Sequence, residues 1–226
     1  QIQGKELSYN NIMDSDAAWQ AVSDFKLPAA VIMKHANPCG AAAFAGDLVD
    51  VYLKALETDP VSAFGGIVAF NRPIDKKTAD ELAKIFLEVI IAPGIDADAA
   101  AVLETKKNVR VLIIPQTGGR ASGYDFRRVV GGLLVQDRDK TDFDIKKAQV
   151  VTKRKPTDEE YAALDFAWRI VKHVKSNAIV FATNYQLVGV GAGQMSRVDS
   201  VKIATMKAQL PTKGTVLGSD AFFPFR

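Results

Sequence analysis

Ala29-Ala30-Val31-Ile32-Met33-Lys34-His35-Ala36-Asn37-Pro38-Cys39-Gly40 is the stretch that decides the fold. Its first five residues form an uninterrupted apolar run, which is typical of a buried strand. The polar residues that follow include a proline and a glycine, so they are predicted to form a loop. A segment with apolar residues at helical spacing precedes the strand, and Asp14 is predicted to cap that helix. A helix, a buried strand and a polar loop in this order are typical of α/β proteins.

The same alternation continues to residue 114. Strands are predicted over 67–70, 89–92 and 109–114, and helices over 48–56, 79–86 and 97–105. This rhythm predicts the α/β class with a largely parallel sheet. Residues 115–123 contain three glycines and are predicted to form a loop. Residues 129–136 are predicted to be one strand, interrupted by Gly131 and Gly132.

A second unit is predicted after residue 137. Residues 137–144 are dense in charge and poor in apolar side chains, so we divide the chain into units 1–137 and 138–226. Thr157 and Glu160 have the spacing of a capping box and predict the start of a helix. Apolar runs over 178–182 and 187–192 predict a hairpin, followed by a helix over 201–209 and a strand over 215–218. A few matches between 28–35 and 176–183 suggest an ancient duplication.

The bulk composition excludes several classes of protein. A formal charge of +3, from 29 basic and 26 acidic residues, is too small and too dispersed for nucleic-acid binding. No apolar run approaches the roughly 20 residues of a membrane helix. Cys39 is the only cysteine, which favours a reducing compartment, and we expect a cytoplasmic protein. The chain begins at Gln1 and ends in an apolar segment, so we expect a fragment of a longer protein.

The adjacent residues Lys34 and His35 are candidates for chemistry because they follow a buried strand directly. A histidine can act as a general base near neutral pH, and a lysine can stabilise a developing oxyanion. An ordinary turn, with the lysine solvated and the histidine bonded to a carbonyl, explains the same residues equally well.

Zinc chemistry is not predicted. Pro38 and Cys39 resemble the start of the P-C-x-x-C motif of zinc deaminases, but Ala42 occupies the position of the second cysteine. His35 also lacks the glutamate of an H-x-E motif. The other histidine, His173, is expected at the surface near a helix C-terminus.

Two glycine-containing segments allow alternative interpretations. Phe64 and Gly65 lie in a segment where a backbone can approach a flat ligand, although a tight connection with Phe64 in the core is favoured. Residues 189–193 have the spacing G-x-G-x-G, which differs from the G-x-G-x-x-G of dinucleotide-binding proteins. We interpret these glycines as strand positions that permit close packing. Arg197, just beyond them, is a candidate for phosphate binding or for a solvated position.

Several segments taken together resemble one known family. The matching segments occur in the same order and cover essentially the whole chain: residues 7–11, 34–40, 59–66, 89–94, 174–178, 189–197 and 219–226. They resemble the transformylase part of the bifunctional enzyme that formylates aminoimidazole carboxamide ribonucleotide (AICAR) and cyclises the product to inosine monophosphate (IMP) in purine biosynthesis.

This resemblance implies a fold and a reaction. The fold would consist of two tandem cytidine-deaminase-like α/β/α units without zinc, the second C-terminally incomplete in this chain. The reaction would move a formyl group from 10-formyltetrahydrofolate to the 5-amino group of AICAR. The cyclohydrolase activity would belong to an N-terminal domain absent from this chain. A homodimer with active sites at the interface is also implied, as is a structural monovalent cation such as potassium.

The resemblance also assigns roles to residues. His35 would be the base, Lys34 would stabilise charge or protonate the leaving nitrogen, and Asn184 would form a hydrogen bond near the formyl transfer. The remaining site residues fall into two groups: Asn11, Gly65, Glu88, Lys202 and Phe222 for the nucleotide, with Lys202 at its phosphate, and Phe64, Pro224 and Phe225 for the folate. Other nucleotide-binding residues of the family are expected outside residues 1–226, so this fragment alone is expected to have weak or no activity.

Overall fold

The computed structural model describes residues 1–115, 123–139 and 143–223. Its larger sheet has five strands in the order β2-β1-β3-β4-β5. The strands are β1 (Ala29–Lys34), β2 (Asn37–Ala43), β3 (Gly66–Phe70), β4 (Leu87–Ala92) and β5 (Arg110–Ile113). The helices around them are α1 (Tyr9–Ser23), α2 (Leu48–Glu57), α3 (Pro60–Ala63), α4 (Lys76–Leu82) and α5 (Ala97–Glu104). The predicted α/β class is therefore confirmed.

The sheet is mixed and not largely parallel as predicted. β3, β4 and β5 run parallel, whereas β1 is antiparallel to both β2 and β3. The prediction was wrong because residues 37–43 form a strand where a loop was expected. Pro38 is compatible with this strand because β2 lies at the edge of its sheet, where a missing N–H breaks no interior ladder.

The first helix begins earlier than predicted. Ser8 is its N-cap, and Ser8 and Asn11 satisfy each other's backbone groups in a capping box. Asp14, predicted as the cap, lies inside the helix and is buried. The serine and asparagine chemistry of the cap was present in the sequence, but the apolar stripe that follows it is weak.

The smaller sheet has three strands in the order β10-β8-β9. Its strands are β8 (Ile179–Ala182), β9 (Leu187–Gly191) and β10 (Val216–Ser219), and its helices are α6 (Asp158–Val171) and α7 (Arg197–Lys207). The predicted hairpin is confirmed as β8–β9, and the predicted capping box as Thr157 with Glu160. The short 3₁₀ turn Ile145–Lys147 precedes α6.

The two sheets are joined by backbone hydrogen bonds and by a shared apolar core. Ala42 and Gln186 form an isolated antiparallel bridge, and the Ala43 N–H donates to the Tyr185 carbonyl at 2.9 Å. One continuous apolar core joins α1 and β1 to α6 and β8, and the rings of Phe25 and Phe166 lie 5.2 Å apart within it. The two halves are thus packed on each other, and the division at residue 137 stays a prediction.

Two features of the second half depend on glycine. Residues 124–137, predicted in part as one strand, form a separate hairpin of β6 (Tyr124–Val129) and β7 (Gly132–Asp137), and Gly131 turns it with φ 82°. Gly189 and Gly191 let α7 pack directly on β9, because a Cβ at either position would collide with a carbonyl oxygen of the helix. Their interpretation as packing glycines is confirmed. None of the helices within the described ranges has the length and apolar character needed to cross a membrane.

Candidate active site

Most of the predicted residues lie along one edge of the larger sheet, the side on which β1 ends and β3 and β4 begin. β1 ends at Lys34, and since β3 is antiparallel to β1, its first residue lies beside that end, directly after Gly65. β4 is parallel to β3, so Glu88 near its start lies at the same edge. Only five residues join the end of α1 to the start of β1, so the first turn of the helix, which contains Asn11, lies at this edge too. Four residues distant in sequence thus share one edge.

Lys34 is held by backbone at this edge. Its Nζ donates to the Phe64 carbonyl oxygen at 2.6 Å. Gly65 has φ 66°, and a Cβ on it would lie 3.1 Å from that Nζ, so glycine lets the ammonium approach closely. The Gly65 N–H donates to the Phe86 carbonyl at 2.8 Å, which connects this segment to the start of β4. The Lys34 ammonium therefore has a defined position, and no side chain at position 65 crowds it.

Phe64 is a surface residue here and not part of the core, so the favoured interpretation of it was wrong. Its side chain is 61% exposed. Its ring packs against Phe86 at 5.5 Å between centroids. The two rings form an apolar surface next to the Lys34 ammonium, which is suited to a flat ligand.

His35 lies in a strained turn. His35 and Ala36 have φ 52° and 53°, and they are the two residues between β1 and β2. This left-handed conformation is unfavourable for residues other than glycine, and such strain clusters at functional sites. The His35 side chain is exposed, and its carbonyl accepts a hydrogen bond from Asn37 Nδ2 at 3.1 Å. The turn presents the imidazole to solvent next to Lys34.

A cleft of about 310 Å³ opens beside this turn. Both sheets contribute to its wall, which is lined by Lys34, His35, Asn37, Pro38, Cys39, Thr58, Asp59, Ser62, Gly189, Val190, Ala192, Ile203 and Lys207. Lys207 Nζ lies 3.3 Å from Asp59 Oδ2 and 3.4 Å from Ser62 Oγ. No sequence pattern indicates this contact, because Ser62 and Lys207 are 145 positions apart.

The Cys39 thiol in this cleft is not a nucleophile at neutral pH. Burial, together with the nearby Asp59 carboxylate, raises the pKa of Cys39 to about 12. The reactive form of cysteine is the thiolate, so a thiol with this pKa is inert near pH 7.

Glu88 is paired with a residue that the sequence did not single out. Arg110 donates to Glu88 Oε2 at 2.7 Å and, through Nε, to the Glu6 carbonyl at 2.9 Å. Arg110 is nearly buried, while the glutamate remains accessible from the edge. Asn11 uses its Oδ1 to accept from the N–H and hydroxyl of Ser8.

Asn184 is not brought to Lys34 and His35 within one chain. It is exposed beside Tyr185, which bonds to Ala43 at the far end of β2. β2 begins at Asn37, directly after the His35 turn, and a strand of this length spans about 20 Å. The same chain therefore presents these residues at opposite ends of one strand.

The remaining predicted residues lie apart from the edge or outside the described ranges. Lys202 is exposed on α7 and pairs with Asp199 at 3.1 Å. Phe222 is exposed after β10. Pro224 and Phe225 lie outside the described residues. Arg197, a candidate for phosphate, instead contacts Asp220 and donates to Asn177 at 2.7 Å.

His173 was expected at the surface, but its side chain is largely buried. Its Nε2 lies 2.8 Å from Asp24 Oδ2, and Lys172 approaches the same oxygen at 2.9 Å. Burial would raise the pKa of Asp24, but the hydrogen bonds from His173 and Lys172 outweigh it and hold that pKa below its ordinary value. Among the described residues, no three His, Cys, Asp or Glu side chains are grouped closely enough to hold a metal ion. The expected lack of zinc stays a prediction.

Comparison with known protein families gives one match. The family described as AICARFT/IMPCHase bienzyme matches residues 1–207. The matched range contains the Lys34–His35 turn, the Phe64–Gly65 segment and Asn184, and it leaves only residues 208–226 outside.

Proposed function

This chain belongs to the AICARFT/IMPCHase bienzyme family, an enzyme family of purine biosynthesis, and we propose that it transfers a formyl group from 10-formyltetrahydrofolate to the 5-amino group of AICAR. The products are formyl-AICAR and tetrahydrofolate, and the full-length protein also cyclises formyl-AICAR to IMP. The observation that carries the proposal is the Lys34 ammonium, 2.6 Å from the Phe64 carbonyl, beside an exposed His35 in a strained turn.

The reaction needs the two groups that this turn presents. The 5-amino group of AICAR is conjugated with the ring and the carboxamide, so it is a weak nucleophile. As its nitrogen bonds to the formyl carbon, His35 accepts the amine proton. Lys34 stabilises the oxyanion and donates a proton to the folate nitrogen as the carbon–nitrogen bond breaks. The tetrahedral adduct then collapses to formyl-AICAR and tetrahydrofolate.

The ligands are assigned to the surfaces around the turn. Phe64 supplies an exposed ring for the folate, with Pro224 and Phe225 as its further contacts. Gly65, Glu88 and Asn11 share the edge with Lys34 and are proposed to contact the nucleotide, with Lys202 at its phosphate and Phe222 at its ring. Gly65 is suited to this position because it has no side chain. Any side chain there would crowd the Lys34 ammonium.

A homodimer with shared active sites is part of this proposal. Asn184 and the Lys34–His35 turn lie at opposite ends of β2, so an Asn184 that acts in the transfer comes from a second copy. The β6–β7 hairpin supports association, since all residues of both strands are exposed. Tyr124, Phe126, Leu133 and Val135 give one face of it an apolar character. The zinc-free tandem units, the monovalent cation and the cytoplasmic location stay predictions.

The test is formyl transfer by the full-length protein carrying His35→Asn. Asparagine tolerates the left-handed backbone of this turn, so the variant removes the base and keeps the turn. We expect kcat to fall about 100-fold or more while AICAR still binds. Lys76→Ala, at an exposed ion pair on α4, is the control. An unchanged kcat rejects His35 as the base, and a wild-type protein that binds both substrates without turnover is a binding module.

A further inference from the structure

The segment that holds Lys34 is itself held from the other sheet. Asp59 caps the four-residue helix α3, accepting from the Ser62 N–H at 2.9 Å and from the Ser62 hydroxyl at 2.6 Å. α3 ends at Ala63, and the next residue is Phe64, whose carbonyl accepts from Lys34. The position of that carbonyl therefore depends on how the short helix is anchored.

Lys207 at the end of α7 supplies the anchor. Its Nζ lies 3.3 Å from Asp59 Oδ2 and within 3.4 Å of Ser62 Oγ, so it contacts both partners of the cap. The Asp59 side chain is only 13% exposed. Burial would raise the pKa of Asp59, but the hydrogen bonds from Ser62 and the Lys207 charge keep it below its ordinary value. The carboxylate stays ionised and paired at neutral pH.

We propose that the Lys207–Asp59 ion pair positions Lys34 for catalysis, so that α7 of the smaller sheet controls the geometry of the candidate site on the larger one. The proposal rests on the formyl transfer proposed above. Lys207 and Asp59 act through α3 and the Phe64 carbonyl, and they are positioning residues.

Magnitudes separate this role from a purely structural one. The Lys207 side chain is half-exposed, and ion pairs of that kind contribute little to global stability. A displacement of about 1 Å at a reacting group, in contrast, lowers the rate by about 100-fold. α3 is a single turn of four residues capped by Asp59, so loss of the ion pair is expected to move the Phe64 carbonyl without unfolding the protein.

The kinetic test compares Lys207→Ala, Lys207→Arg and Asp59→Asn in the full-length protein. We expect Lys207→Ala to lower kcat by about tenfold or more, with little change in KM or Tm. Lys207→Arg keeps the charge and should restore most of kcat. In the double variant that combines Lys207→Ala with Asp59→Asn, the losses of kcat should not add, because both substitutions remove the same contact. Unchanged kcat in Lys207→Ala overturns the proposal, as does a loss of kcat accompanied by a matching loss of Tm.

A second measurement does not depend on activity. Hydrogen exchange of the Gly65 amide, which bonds to the Phe86 carbonyl, reports the order of the segment that holds Lys34. Exchange should accelerate in Lys207→Ala and stay unchanged in the control Lys76→Ala. If the wild-type protein transfers no formyl group, the proposed function fails, and the Gly65 amide still decides whether the ion pair orders this segment. Unchanged exchange in Lys207→Ala overturns the proposal.

Discussion

Ala43 donates its N–H to the Tyr185 carbonyl at 2.9 Å, and this bond holds the neighbouring Asn184 at the end of β2 remote from His35. β2 also carries the bridge between Ala42 and Gln186 at that end. The cleft beside Lys34 lies at the other end of β2. Asn184 and the Lys34–His35 turn therefore lie at opposite ends of β2 within one chain.

Mixing two inactive variants tests whether the half-sites of different copies combine. A site lacking Lys34 and a site lacking Asn184 are both expected to be inactive in their own homodimers. A mixed dimer of Lys34→Ala and Asn184→Ala has one site with both residues intact. After subunit exchange we expect about a quarter of the wild-type activity, because half of the dimers are mixed and each has one good site.

The matched control is a mixture of Lys34→Ala with His35→Ala. These residues are adjacent in one chain, so each site of the mixed dimer still lacks one of them, and no activity should return. Recovery in the control, or its absence in the first mixture, contradicts the shared site.

The sequence predicted the elements that have a strong apolar pattern or a recognisable helix cap. The buried strand from Ala29 and the helix from Thr157 were both recognised, the first by its unbroken apolar run and the second by its cap. β2 was missed because Pro38 and Gly40 are loop-forming residues. Its edge position tolerates the proline, and Gly40 is required where a Cβ would strike the Ala55 carbonyl of α2.

The sequence identified a residue of the candidate site only where the residue belongs to a local motif or to a segment that carries the family resemblance. Lys34 and Gly65 were both identified, and the structure brings them together. Lys207 and Arg110 were not, because their partners Asp59 and Glu88 are distant in the chain and a lone lysine or arginine carries no pattern. Ion pairs between residues distant in sequence depend on the fold, and composition and periodicity do not predict them.

The strained turn predicts a specific sensitivity at Ala36. Its φ of 53° is tolerated by alanine at a cost, but a β-branched side chain is much less favourable there. We expect Ala36→Val to lower the free energy of unfolding by about 2 kcal/mol or more, and Ala36→Gly to change it by less than about 1 kcal/mol. Urea unfolding measures both. Equal stabilities for the two variants would show that the left-handed conformation is not retained in solution.

Close packing of α7 on β9 predicts a large effect at Gly191. A Cβ at this position would overlap the Ser200 carbonyl, so alanine must push the helix away from the sheet. We expect Gly191→Ala to cost about 2–3 kcal/mol. Gly94→Ala is the control, since its Cβ would lie 3.6 Å from Pro73 in ordinary contact, and it should change stability by less than about 0.5 kcal/mol. Thermal unfolding of the two variants compares them directly, and similar melting temperatures would contradict the packing.

Asp24 predicts how stability depends on pH. The folded state lowers its pKa, since the hydrogen bonds from His173 and Lys172 outweigh the cost of burial, so the carboxylate binds its proton less readily when the protein is folded. Its contribution is therefore complete above the unfolded pKa of about 3.9 and is lost as the pH falls through the lower folded value. We expect Asp24→Asn to lower the free energy of unfolding by about 3 kcal/mol at pH 7, because it leaves the partly buried Lys172 ammonium without its partner. The difference from wild type should shrink below about pH 4.

Asp80→Asn, at an exposed ion pair with Lys76, should cost less than about 1 kcal/mol. A deficit in Asp24→Asn that stays constant down to pH 2 would show that the ionised carboxylate is not the source of the stability.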